Sequence, residues 1–95
     1  MDNLTALKKL VLDRLKDEKA KVVLFGSRAR MDNRPFSDVD IGVIPYGEFH
    51  EIKITLLRDE LENFNVPYRV EIVNFSEVSE DFKKEALKDS IVWKD

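Results

Sequence analysis

The chain has no cysteine, which excludes disulfides, thiolate nucleophiles and zinc–thiolate sites. It also lacks a long apolar stretch and a charged-then-apolar leader. Neither a membrane span nor export is therefore expected, and the cytoplasm is the expected compartment. There is no basic excess, since 16 Lys and Arg face 19 Asp and Glu for a net charge of −3. Proteins that track a phosphate backbone normally carry surplus cations, so extended nucleic-acid contact is disfavoured. The single histidine, His50, is too isolated for a metal ligand set or a catalytic triad. No repeat, low-complexity tract or linker interrupts the 95 residues. One domain, residues 1–95, is expected, at the small end of what folds alone.

Apolar spacing orders that domain. Leu4, Leu7, Val11 and Leu15 follow the helical period, with Asp2 or Asn3 as a cap. Residues 21–25 read as a short buried strand. Ser27 can cap a short helix over 28–31, and 32–35 is rich in turn formers. A second strand spans 38–44 and stops at Pro45 and Gly47. The spacing of Phe49, Ile52, Leu56, Leu57, Leu61 and Phe64 predicts the longest helix over 48–64. Residues 68–74 are rich in β-formers and read as a third strand. Ser79 caps a last helix to about Lys88, with Glu80 and Asp81 in its first turn. Ile91, Val92 and Trp93 form an apolar tail that packs on the domain or on a partner. The fold class is α/β (α+β), a small mixed sheet of three principal strands with helices on one face. Lys53 and Arg58 read as solvated.

Between the first two strands lies the chemistry. Gly26-Ser27 closes Val22-Val23-Leu24-Phe25, and about ten residues later Ser37-Asp38-Val39-Asp40 opens Ile41-Gly42-Val43-Ile44. Residues two apart on a strand share a side, so Asp38 and Asp40 project together. Carboxylates that close repel unless a cation lies between them. An all-oxygen site of this kind suits Mg²⁺ or Mn²⁺ with substrate phosphates. The Gly-Ser turn offers backbone N–H groups and a hydroxyl where phosphate oxygens would lie. Phosphoryl or nucleotidyl transfer is the expectation. For both motifs to share one site, the two strands must run antiparallel. The third must then lie beside them, and Glu71, flanked by Val70 and Ile72 of the opposite face, is its candidate carboxylate.

Gly26-Ser27-Arg28-Ala29-Arg30, then Arg34-Pro35, then Ser37-Asp38-Val39-Asp40-Ile41 resembles the signature of the DNA polymerase β-like nucleotidyltransferase superfamily. The size and the Gly-Ser-x-Ala-Arg form are similar to its minimal nucleotidyltransferases, the MNT proteins. The resemblance implies the nucleotidyltransferase fold, two divalent metals (Mg²⁺ or Mn²⁺) and ATP as substrate. Carried over by position, Gly26 and Ser27 hold the terminal phosphates, and Ser37, which opens the acidic motif, joins them as a nucleotide- and phosphate-binding residue. Asp38, Asp40 and Glu71 are the metal-binding and catalytic carboxylates. Arg28 and Arg30 reach phosphate oxygens or brace the loop. Two positions depart from the family pattern: Met31 stands where glycine is usual, and Glu71 where aspartate is.

Such relatives usually pair with a HEPN-domain protein as a toxin–antitoxin system, in which the MNT protein adenylylates its toxin. The chain has no room for a second substrate-binding domain, so a partner protein or a second copy must deliver the acceptor. The expected activity is transfer of AMP from ATP onto that partner. The alternative is a nucleotide-binding antitoxin, weak or inactive in catalysis, that neutralises its partner by complex formation. Homodimerisation through the apolar tail is also open to a domain this small.

Overall fold

A computed structural model describes residues 3–31 and 37–95. The caps and turns expected at Asp2 and at 32–35, and the Arg34-Pro35 pair, lie outside the described residues. The elements run α1 (Asn3–Leu15), β1 (Ala20–Phe25), α2 (Ser27–Arg30), β2 (Val39–Pro45), α3 (Ile52–Glu62), β3 (Val70–Asn74), a 3-10 turn (Phe75–Glu77), α4 (Glu80–Leu87) and β4 (Ile91–Lys94). They build one four-stranded mixed sheet in the order β3-β2-β1-β4. β1 pairs antiparallel with β2 and with β4, while β2 and β3 are parallel, joined by α3. A parallel pair needs such a crossover.

The three expected strands are present, and the apolar tail adds a fourth. Val92 pairs with Val23 and Ile91 with Leu24, and the register shifts beyond them, where Trp93 packs against the core. The Lys94 ammonium donates to the carbonyls of Glu18 and Ala20, both at 2.9 Å. The tail is thus an edge strand.

Helices cover both faces of the sheet, a correction to the single layer expected. β1 is apolar on both sides, and a strand of that kind needs cover on each. Val22, Leu24, Val39, Ile41, Val43 and Ile72 pack beneath α1 and α3. On the other face Val23, Phe25 and Phe75 meet Ala86 and Leu87 of α4. Phe25, Phe75 and Phe82 form a triangle of edge-to-face rings with centroids 5.3–6.1 Å apart, a geometry aromatic quadrupoles favour. Gly42 lies under this triangle. A Cβ there would come 2.7 Å from the Phe75 ring, so the ring fills the space a side chain would take.

α3 is shorter than its apolar stripe predicts, and its phase is different. Ile54, Leu57 and Leu61 face the core, whereas Ile52 and Leu56 are more than half exposed. Phe49 and Phe64 still pack on the core from outside the helix. The chain enters α3 through a staple: buried Glu18 accepts the His50 backbone N–H at 2.7 Å and lies 3.2 Å from its ring Nδ1. That backbone hydrogen bond holds the Glu18 carboxyl below its ordinary pKa. At α4 the expected cap is observed, with Ser79 Oγ accepting the Phe82 N–H at 3.1 Å. Arg58 is a further correction. It is not merely solvated, because Nε and Nη2 donate to the Ile72 carbonyl at 3.3 and 2.8 Å.

Candidate functional site

β1 ends at Gly26, whose φ of 79° and ψ of −158° lie where glycine is the natural residue. Its carbonyl accepts the N–H groups of Ala29 and Arg30 at 3.1 and 3.2 Å, closing α2. Ser27 is therefore the first residue of α2, and the cap is Gly26 without a side-chain bond. This corrects the expected Ser27 cap. The first N–H groups of a helix have no partner within it. Gly26 also allows a close approach, since a Cβ there would overlap Asp40 Oδ2. The carboxylate of β2 thus lies directly against the turn that ends β1.

The strand register sets Asp40 beside Glu71. Asp40 is opposite Phe25 on β1 and opposite Glu71 on β3. Alternation puts Asp40, Gly42, Glu71 and Val73 on the sheet face that α4 covers. Asp38 is exposed and precedes β2 by one residue. The Asp40 carboxyl is pushed above its ordinary pKa, first by burial, then by the charges of Glu71 and Asp38, with Arg30 and Arg69 opposing. Two neighbouring acids therefore act on Asp40 through space. Among the described residues, however, no three acidic or histidine side chains close around a metal-sized point. Asp40 turns toward Gly26, and Glu71 turns toward Arg69, with Nη2 2.9 Å from Oε1.

Of the two arginines in the motif, Arg28 braces the loop. Its Nε and Nη2 donate to the Ser37 carbonyl at 3.2 and 2.9 Å, and its guanidinium stacks 4.6 Å over the Tyr68 ring. That ties α2 to the residue preceding Asp38 and to the approach to β3. The charge of Arg30 acts on Asp40, and Arg30 lines a cleft of about 220 Å³ with Phe82 and Glu85 of α4 and Asp89 beyond it. Across the sheet, a groove of about 560 Å³ runs along β3, with Arg58, Glu62, Tyr68, Arg69 and Glu71 among its lining residues. Sequence reasoning missed Arg69, although its place two residues before Glu71 puts it on the same side of an extended segment.

Met31 closes α2 in the left-handed conformation, φ 62° and ψ 24°. The position usually held by glycine in the relatives thus keeps the backbone glycine favours, and Met31 bears the strain. A side chain in that region costs about 1–2 kcal/mol, partly offset by the larger unfolded-state entropy of glycine. Met31→Gly should accordingly raise stability by about 0.5–1 kcal/mol in urea unfolding. Met31 is 85% exposed, so no packing is lost. An unchanged or lower midpoint would remove the strain argument.

No helix among the described residues is long and apolar enough to cross a membrane. A search of curated proteins gives no match. Among solved structures, one described as a putative minimal nucleotidyltransferase is 29% identical with a TM-score of 0.72, covering 96% of this chain and 95% of that one. A toxin–antitoxin structure with AMP-PNP is 20% identical, TM-score 0.68, over 90% of this chain and 71% of that one. A complex of a tri-AMPylated Shewanella oneidensis HEPN toxin with its MNT antitoxin is 18% identical, TM-score 0.64, over 94% and 70%. At those identities the last two establish likeness of fold. Residues 9–95 match the family described as polymerase beta, nucleotidyltransferase. With the Gly26-Ser27 turn after β1 against the acidic start of β2, and β3 alongside, the chain belongs to that nucleotidyltransferase family.

Proposed function

We propose that the protein is a Mg²⁺- or Mn²⁺-dependent nucleotidyltransferase that moves AMP from ATP onto a HEPN-domain partner, as the antitoxin of a toxin–antitoxin pair. The observation that carries this reading is the order across the sheet. Gly26 at the end of β1 and Glu71 on β3 flank Asp40 from opposite sides. In-line displacement at phosphorus needs the acceptor and the leaving group on opposite sides of the reacting atom.

The residues fit divalent metal. Asp38, Asp40 and Glu71 offer only hard oxygen donors, and the pKa of Asp40 is raised first by burial and then by the charges of Glu71 and Asp38, a repulsion that a cation relieves. Bound there, such ions would polarise the α-phosphate and favour the ionised acceptor hydroxyl. Gly26 and Ser27 hold the β- and γ-phosphates, and Arg30 adds positive charge beside them. Arg28 keeps Ser37, and with it Asp38, in place. The acceptor oxygen forms its bond to the α-phosphorus as the bond to pyrophosphate breaks, and the hydroxyl proton passes to the Glu71 carboxylate. The AMP-PNP-bound and tri-AMPylated neighbours support adenylyl transfer and a HEPN partner.

A second reading, an antitoxin that binds nucleotide and neutralises by complex formation, draws on one observation: Glu71 is engaged by Arg69. One experiment separates the two. The protein is incubated with its HEPN partner, Mg²⁺ and labelled ATP, and each chain is weighed by mass spectrometry. Added AMP on the partner, lost in Asp38→Ala with Asp40→Ala, supports transfer. A stable complex with no mass change supports neutralisation alone.

A further inference from the structure

We propose that Arg69 is the resident counter-cation of Glu71, which a divalent metal must displace before the carboxylate site can close. This deepens the nucleotidyltransferase reading and rests on it. Arg69 has a fixed backbone, its carbonyl accepting the Val39 N–H at 2.8 Å. Its side chain therefore starts beside the acidic segment of β2 and reaches Glu71 at 2.9 Å. The guanidinium is thus in direct contact with Glu71. Glu71 points to it, Asp40 points away to Gly26, and among the described residues no metal-sized cluster is closed.

The contact is also built to be released. The Arg69 side chain is 72% exposed, and ion pairs that open to water are weak. A divalent ion taking Glu71 frees a guanidinium at the mouth of the β3 groove, where Arg58 and Glu62 are the neighbouring charges. That groove lies on the side of Asp40 opposite the phosphate turn, which in-line transfer assigns to the acceptor. Metal occupancy would thus change the charge the acceptor meets, favouring metal and nucleotide before acceptor.

The test measures Mn²⁺ binding to the whole protein by electron paramagnetic resonance, without nucleotide or partner. It compares the wild type, Arg69→Gln, Glu71→Gln and the double variant. Arg69→Gln should bind Mn²⁺ more tightly, by on the order of two- to fivefold, the scale of an exposed ion pair. In the Glu71→Gln background the same change should add nothing, because the coupling runs through that carboxylate. Unchanged or weaker binding by Arg69→Gln would overturn the proposal. So would an equal gain in both backgrounds, which would mean a general field effect. A wild type that binds no Mn²⁺ even with nucleotide would instead remove the metal reading itself. Arg69→Lys should fall between wild type and Gln, and thermal melts check that each variant is folded.

Discussion

Asp40→Asn is expected to abolish transfer while making the metal-free protein more stable at neutral pH. The loss should be on the order of 1,000-fold or more, the scale for removing one preorganised electrostatic group from a transition state. The stability gain follows from the raised pKa of Asp40, caused first by burial and then by Glu71 and Asp38. A carboxyl whose folded pKa exceeds its unfolded value binds its proton more tightly in the native state. Wild-type stability therefore rises as pH falls through the folded value and levels off below the ordinary aspartate range. The variant has no such group. Its advantage is full at neutral pH, shrinks as pH falls through the folded value, and is gone once both states of the wild type are protonated. Urea unfolding from pH 3 to 8 in chelator checks this, and Mg²⁺ should stabilise the wild type alone. A variant less stable than wild type at pH 7 would mean that Asp40 holds the fold together rather than straining it.

Truncation after Ser90 should have the largest effect on folding. It removes β4, exposes the edge of β1, withdraws Trp93 from the core and deletes the Lys94 bonds to Glu18 and Ala20. Truncating a fully buried tryptophan costs about 3–5 kcal/mol; Trp93 is partly buried, so its share is smaller, and the lost β1 pairing and Lys94 bonds add to it. A domain of this size has about 5–15 kcal/mol in total, so a large part of it goes. The truncated chain should lack a cooperative thermal transition and near-UV dichroism from the remaining aromatics. A sharp melt within a few degrees of the full chain would show that β4 is dispensable and return the tail to the role of a partner surface.

The sequence made the site's framework legible where motifs constrain the backbone. Gly26-Ser27 and Asp38-x-Asp40 required antiparallel neighbours, and the register delivers Asp40 opposite Phe25. Glu71 followed from strand alternation and pairs with Asp40 as required. What was not legible depends on long-range contact. Residues 91–94 have a strand's composition, yet only β1, some 70 residues earlier, makes them one. The phase of α3 was misread because Ile52 and Leu56 satisfy the period as well as Ile54 does; the Glu18 staple at His50 starts the helix later. The cap at Gly26 rather than Ser27, and Arg69 on Glu71, are choices of side-chain partner that spacing alone does not encode.

The bond from Arg58 to the Ile72 carbonyl bears on how the protein behaves at high concentration. β3 is an outer strand of the sheet, and an outer strand presents a row of main-chain groups that can template another chain. Arg69, Glu71 and Val73 turn their main-chain groups toward β2, beginning with the Arg69 carbonyl on Val39, so Ile72 turns its own outward. Its carbonyl is the acceptor an incoming strand would need, and a charged, bulky guanidinium holds it at 2.8 Å. A helix residue thus guards the sheet against self-templating while leaving the groove beside it open, so the same edge can admit a solute and resist aggregation.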